Sequence, residues 1–130
     1  MAFFAAIGKA WNLPNTLIGL LWGLVGVPFG ATVSVGNNAV QFENHPFTFG
    51  AVTLGNTISY SKRLGPTVTK DGVSIGDHER QHTYQGELLG PFYLVSQLAG
   101  GMLALVIDRR WHGPANWNER GPLSKPPAPW

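Results

Sequence analysis

Residues 77–93 read DHERQHTYQGELLGPFY, and this stretch organises the reading of the whole chain. Its centre, His78-Glu79-Arg80-Gln81-His82, sets two histidines four residues apart. On an α-helix they lie one above the other on a single face, so both imidazoles reach one metal ion. Glu79 is turned about 100° from His78 by the helical repeat. From there it does not join the metal but reaches a water bound to it. Two neutral nitrogen ligands, an open coordination position and a carboxylate to take the water's proton are what metal-assisted hydrolysis requires. The pattern predicts a helix holding Zn²⁺ on His78 and His82, with Glu79 as general base. Asp77 reads as the N-cap after Gly76, and Gly90-Pro91 ends the helix after Leu89. His78, His82, Gln85 and Leu89 share one side of this helix, and Arg80, Thr83 and Glu87 the other.

Downstream, Pro91 at a favourable first position predicts a second helix to about Asp108. Ser96, Gly100 and Ala104 form a small-residue stripe on it, expected to pack on a helix carrying Gly19 and Gly23. Upstream, residues 1–12 give only a weak helical reading, and a helix runs from Pro14 or Asn15 to about Val27. Two strand pairs follow: 31–35 with 39–43 around the Gly36-Asn37-Asn38 turn, then 47–54 with 57–61 around Gly55-Asn56. Residues 62–76 read as a loop with a short strand near 67–69. The fold class expected is α+β: a single small domain over 1–130 with about three helices and one or two β-hairpins. Its core covers about 13–120, and 121–130 is a proline-rich extended tail.

Composition narrows the partners. The chain has 130 residues, net charge +2, no cysteine and 12% charged side chains, about half the usual charged share. Without cysteine there is neither a disulfide framework nor a thiolate metal site. The basic residues never cluster beyond Arg109-Arg110, so no nucleic-acid partner is expected. The low charge points to a membrane or a protein partner. Residues 17–27 are apolar but short for a bilayer span, and 88–107 are long enough but interrupted by Pro91, Ser96, Gln97, Gly100 and Gly101. Both are read as buried core helices, because a small domain has few other segments from which to build a core. There is no clear cleavable signal: Lys9 is the sole positive charge before 17–27, and Phe29 is bulky for a cleavage site. A cytoplasmic or membrane-associated location is expected.

A catalytic zinc needs a third protein ligand. Glu87 faces away from His78 by helical geometry. His45, Asp108, His112 and Glu119 remain, with Asp108 also placed to pair with Arg109 and Arg110. Gln85 reads either as a hydrogen-bonding group behind the ligands or as a solvated surface residue. Arg80 reads as a solvated charge and His45 as a loop residue. The five tryptophans and Phe92-Tyr93 are assigned mainly to core or interface.

The run His78-Glu79-Arg80-Gln81-His82-Thr83-Tyr84-Gln85, followed by Leu89-Gly90-Pro91-Phe92-Tyr93-Leu94, resembles a group of small bacterial proteins with the pattern HExxHxxQ, then LGP and an aromatic-apolar run. Leu13-Pro14-Asn15-Thr16-Leu17-Ile18-Gly19-Leu20 and Thr53-Leu54-Gly55-Asn56-Thr57-Ile58 fit the same group, so the resemblance covers about 13–120. By motif these proteins look like zincin-type metallopeptidases. A late Asn-x-x-Glu in the group corresponds to Asn116-Trp117-Asn118-Glu119 here. The distance of Glu119 from His82 is similar to that of the distant glutamate ligand of gluzincins. The resemblance thus implies Zn²⁺ on His78, His82 and Glu119, with His112 or Asp108 as the alternative third ligand. Gln85 and Asn116 would support the ligands, and the substrate would be a peptide or another amide. Zincin peptidases usually carry a sheet edge that aligns the substrate, which here would have to come from residues 31–61. The competing expectation is a non-catalytic module, stabilised by metal or associated with a membrane.

Overall fold

In the computed structural model, which describes residues 1–130, the chain is α+β with five helices and two small sheets. Helix α1 (Ala2–Trp11) precedes α2 (Leu13–Gly26), and their axes bend by 68° at Asn12. Pro14 in the first turn of α2 supplies a fixed φ where no backbone donor is needed. Asn12 is fully buried and holds the bend through Asn56 and Asn15 at 3.0 and 2.9 Å. A 3₁₀ turn and Gly30, at φ 105°, end α2.

Strands β1 (Thr32–Gly36), β2 (Ala39–Glu43), β3 (Ala51–Leu54) and β4 (Thr57–Tyr60) form one sheet in the order β1-β2-β4-β3. Two antiparallel hairpins are joined side by side through a parallel β2–β4 pairing. Asn37 and Asn38, both at positive φ, make the tight turn between β1 and β2 that favours asparagine. Residues 47–50 lie outside the sheet, so β3 is shorter than the alternation from Phe47 suggests. Between 62 and 76 the chain forms a further small hairpin, β5 (Thr69–Lys70) with β6 (Val73–Ser74).

Helix α3 (Ile75–Leu89) begins one turn earlier than expected. Ser74, not Asp77, is its N-cap, and the Ser74 hydroxyl accepts from the Asp77 N–H at 3.1 Å. Asp77 sits instead in the first turn, where its charge suits the helix dipole and pairs with Arg80 at 2.7 Å. After a 3₁₀ turn over Gly90–Phe92, α4 (Tyr93–Ile107) continues α3, so that 75–107 make one helical rod. Helix α5 (Trp117–Arg120) is a single turn capped by the Asn116 side chain.

The layers follow from strand alternation. Thr57 and Phe42 face α2, where Gly19 and Gly23 let the helix backbone lie directly on Leu54, Thr57 and the Phe42 ring. Ala39, Ile58 and Tyr60 face the other way and pack with Ile75 of α3. The sheet is therefore held between α2 and α3. The expected pairing of the two small-residue stripes is not formed: Gly100 rests on Asn116 and Trp117, and Gly101 on Trp111. A glycine stripe marks a close approach without specifying whether helix, sheet or loop makes it. Four of the five tryptophans, Trp11, Trp22, Trp117 and Trp130, are exposed and not core residues, while Trp111 is half-buried against Gly101.

Candidate metal centre

Helix α3 brings His78 and His82 onto one face, with their Nε2 atoms 3.3 Å apart. The chain returns after α4 through residues 108–116, and α5 drives Glu119 into the same place. Glu119 Oε2 lies 3.2 Å from His78 Nε2, and Oε1 lies 3.4 Å from His82 Nε2. One donor atom from each of the three residues falls within 4.8 Å of the others, a group able to hold a metal ion. For zinc bonds of about 2.0–2.1 Å, the edge of a coordination tetrahedron is about 3.3–3.4 Å. The two Nε2 atoms, 3.3 Å apart, and His78 Nε2 with Glu119 Oε2, 3.2 Å apart, lie close to that edge, while His82 Nε2 meets the other carboxylate oxygen, Oε1, at 3.4 Å. Glu119 Oε2 is fully buried yet makes no hydrogen bond of good geometry. A buried carboxylate oxygen without a proton donor is a cost that a cation removes. The donor set of two imidazoles and one carboxylate also suits zinc.

Two of the three candidate ligands, His82 and Glu119, are held from behind. Gln85 is fully buried rather than solvated. Its Oε1 is 2.9 Å from His82 Nδ1, so in the neutral imidazole that nitrogen carries the proton and leaves the Nε2 lone pair for a cation. Gln85 Nε2 in turn donates to the carbonyls of Asn118, at 2.7 Å, and Pro129. The proline-rich tail, expected as an extended end outside the core, is thereby tied to α3. Gln97 of α4 donates to Glu119 Oε1 at 3.2 Å, and His112 Nδ1 lies 2.9 Å from the same oxygen. His112 thus contacts the third ligand while standing outside the three-donor group. Asn116 is buried and acts through α5, whose Asn118 N–H it caps at 3.1 Å.

Glu79 is nearly buried, and its Oε2 accepts from Thr53 Oγ1 of β3 at 2.5 Å. Strand β3 lies at an edge of the sheet, so the glutamate of the motif is fastened to an edge strand. Asp108 and His45 lie elsewhere. Asp108 accepts from the Ala115 N–H at 2.7 Å and shapes the 108–116 loop, forming no ion pair with Arg109 or Arg110. His45 is buried against Trp22, with Nε2 2.9 Å from the Trp22 carbonyl. Glu87 faces away as expected, binding Lys9 at 2.7 Å, Asn38 and Asn56.

The electrostatics of the cluster are those of a carboxylate among imidazoles. Burial acts to raise the Glu119 carboxyl, but the neighbouring His112, His78 and His82 imidazoles outweigh it and hold the group well below the usual carboxylate range. Burial acts to lower the His82 imidazole, but the hydrogen bond and charge of Glu119, then Glu79 and Gln85, push it up to about 9. His112 is also raised, chiefly by its hydrogen bond to Glu119 and against the effect of burial.

Thr53, Gln97 and the Pro129 carbonyl were not among the expected site residues. Thr53 opens the Thr53-Leu54-Gly55-Asn56 segment, so a pointer to it stood in the sequence. Nothing in the chain order points to Gln97 or Pro129. Comparison with protein-family models, with curated proteins and with solved structures returns no match.

Proposed function

We propose that this chain is a zinc-dependent hydrolase of peptide or other amide bonds, with Zn²⁺ held by His78, His82 and Glu119. The observation that carries the reading is the convergence of the His78 and His82 Nε2 atoms and the buried Glu119 carboxylate on one point, with one donor atom of each within 4.8 Å of the others and Glu79 one position along the same helix. A zinc ion held by these three residues would supply Lewis acidity and lower the pKa of a bound water. Glu79 takes the proton of the attacking water and returns it to the departing amine. Thr53 keeps the Glu79 carboxylate in one orientation by engaging Oε2. Gln85 keeps His82 in the tautomer whose Nε2 can bind. The edge position of β3, which pairs with β4 on one side and with no strand on the other, supports a peptide as substrate, because an extended chain can add to a sheet edge by backbone hydrogen bonds.

The test combines metal analysis with turnover. Wild-type protein is expected to hold close to one zinc per chain, with His78→Ala and Glu119→Ala holding none. Glu79→Gln is expected to keep the metal and lose about 10²–10⁴-fold of its activity on a fluorogenic peptide library. Undiminished turnover in zinc-loaded Glu79→Gln overturns the assignment. Bound zinc whose removal unfolds the chain, with no turnover in wild type, leaves the metal a structural clamp between α3 and α5.

A further inference from the structure

The distribution of side chains is the reverse of that in a water-soluble domain. Of the buried residues, 17 are polar or charged and only 7 are hydrophobic, while 33 large hydrophobic residues are exposed. The buried polar groups are joined to one another, as in the buried Asn12, Asn15 and Asn56, which connect outward to the half-buried Asn38 and Glu87 under α1. A polar, hydrogen-bonded interior beneath an apolar exterior is costly in water, because every exposed apolar side chain forfeits its burial.

Of these 33, 18 sit on three helices, α1, α2 and α4. No residue of α1 is buried, and Phe3, Phe4, Ile7 and Trp11 form a stripe along it. On α2 the buried positions are Asn15, Gly19, Gly23 and Gly26, a band about 80° wide. The opposite side, through Leu17, Leu21, Leu24 and Val25, is large and apolar. On α4 the buried side consists of Tyr93, Gly100, Gly101 and Ala104. The exposed side, from Leu105 through Met102 and Val106 to Ile107, sweeps about 200°. A single packed partner covers about 100° of a helix, so the outer face of α4 is too wide for one docking helix. Only 28% of the most apolar part of the rod ending at Ile107 is buried, so α4 is not a core helix. Small residues inward and large apolar residues outward is how helices are arranged when lipid surrounds them.

The charges fit the same surroundings. No Asp, Glu, Lys, Arg or His occurs between Lys9 and Glu43, or between Glu87 and Asp108. The apolar run of α4 ends in Asp108-Arg109-Arg110-Trp111, with both arginines exposed and neither in an ion pair. Two free cations and a tryptophan at the end of an apolar helix match the phosphate and interfacial layer of a bilayer with anionic lipid.

We infer that the outer faces of α1, α2 and α4 are seated in the hydrocarbon layer of a lipid bilayer, with Arg109 and Arg110 at the headgroups. The polar α3 segment, which continues the rod beyond α4, and the His78, His82, Glu119 cluster lie outside the lipid. The inference is independent of the metal chemistry. It is tested by cell-free synthesis of the full chain with vesicles of phosphatidylcholine and phosphatidylglycerol, followed by flotation on a density gradient. The wild type is expected to float and to stay bound through a high-salt wash. The combined Leu21→Asp, Leu98→Asp and Val106→Asp variant changes exposed positions alone, and is expected to show at least about tenfold less flotation with an unchanged circular dichroism spectrum. A wild type that remains soluble and non-floating, as a monomer or as a dimer covering its own apolar faces, overturns the inference. So does equal flotation of wild type and an intact variant, or sedimentation regardless of vesicles.

Discussion

The Thr53 hydroxyl donates to Glu79 Oε2 at 2.5 Å, joining the edge strand β3 to the carboxylate of the His78–His82 motif. This bond orders a side chain that the helix alone would leave free to rotate. A second weak contact, from Thr53 Oγ1 to the Glu79 carbonyl at 3.4 Å, draws strand and helix together at the same point.

Thr53→Val should therefore retain zinc and lower kcat about tenfold, the scale of one hydrogen bond to a charged group. KM should change little, because Thr53 acts through Glu79. Steady-state kinetics with metal analysis on the same sample reads this directly, and loss of zinc in the variant would contradict it.

Gln85→Leu should weaken zinc binding about 10–100-fold. It removes the acceptor that sets the His82 tautomer, and also the donor that ties α3 to Asn118 and Pro129. Competition against a chelator measures the loss. Gln85→Glu, which keeps the acceptor, should recover most of the affinity.

The metal-free protein should lose stability as pH rises. His82 is raised from 6.5 to about 9, so its contribution is complete below pH 6.5 and is lost as pH rises through 9. Glu119 is lowered from 4.5, so its contribution is present above pH 4.5 and lost as pH falls below it. Melting temperatures of the metal-free chain should peak between those limits. Zinc needs a neutral His82, so its affinity should climb from pH 6.5 to 9 with release of protons. Calorimetry in buffers of different ionisation enthalpy measures that release; a flat affinity over this range would count against it.

Gly23→Ala should destabilise the chain by about 1–3 kcal/mol. The added Cβ would overlap the ring of Phe42, which is itself buried and cannot swing aside. Thermal melts of wild type and variant, in one detergent or lipid, make the comparison.

Much of the local structure was legible in the residues. The Asn37-Asn38 turn, the extent of β2, the Gly55-Asn56 turn and the end of α3 at Leu89 all follow from turn chemistry and short-range periodicity. So does the shared face of His78 and His82, because four residues are one helical turn. Where short-range signals compete, they mislead: Ser74 and Asp77 are both good caps, and packing of Gly76 under Pro66 favours the earlier start.

By itself the sequence determined which residues can act together on one element: two imidazoles, a glutamate beside them, glycines on one side of α2 and of α4. Only the tertiary structure decided what meets those faces. Glu119 reaches the histidines while Asp108 does not, because the 108–116 loop is built on Asp108 and turns α5 inward. Gln85 is enclosed by the tail, and α2 lays its glycines on the sheet while its leucines face outward. Periodicity along a helix gives the angle between side chains, whereas the partner of each face depends on segments far away in the chain. Apolar character is the same whether a side chain enters a protein core or faces lipid, so the outward faces of α2 and α4 became distinguishable only once the interior was found filled by other groups.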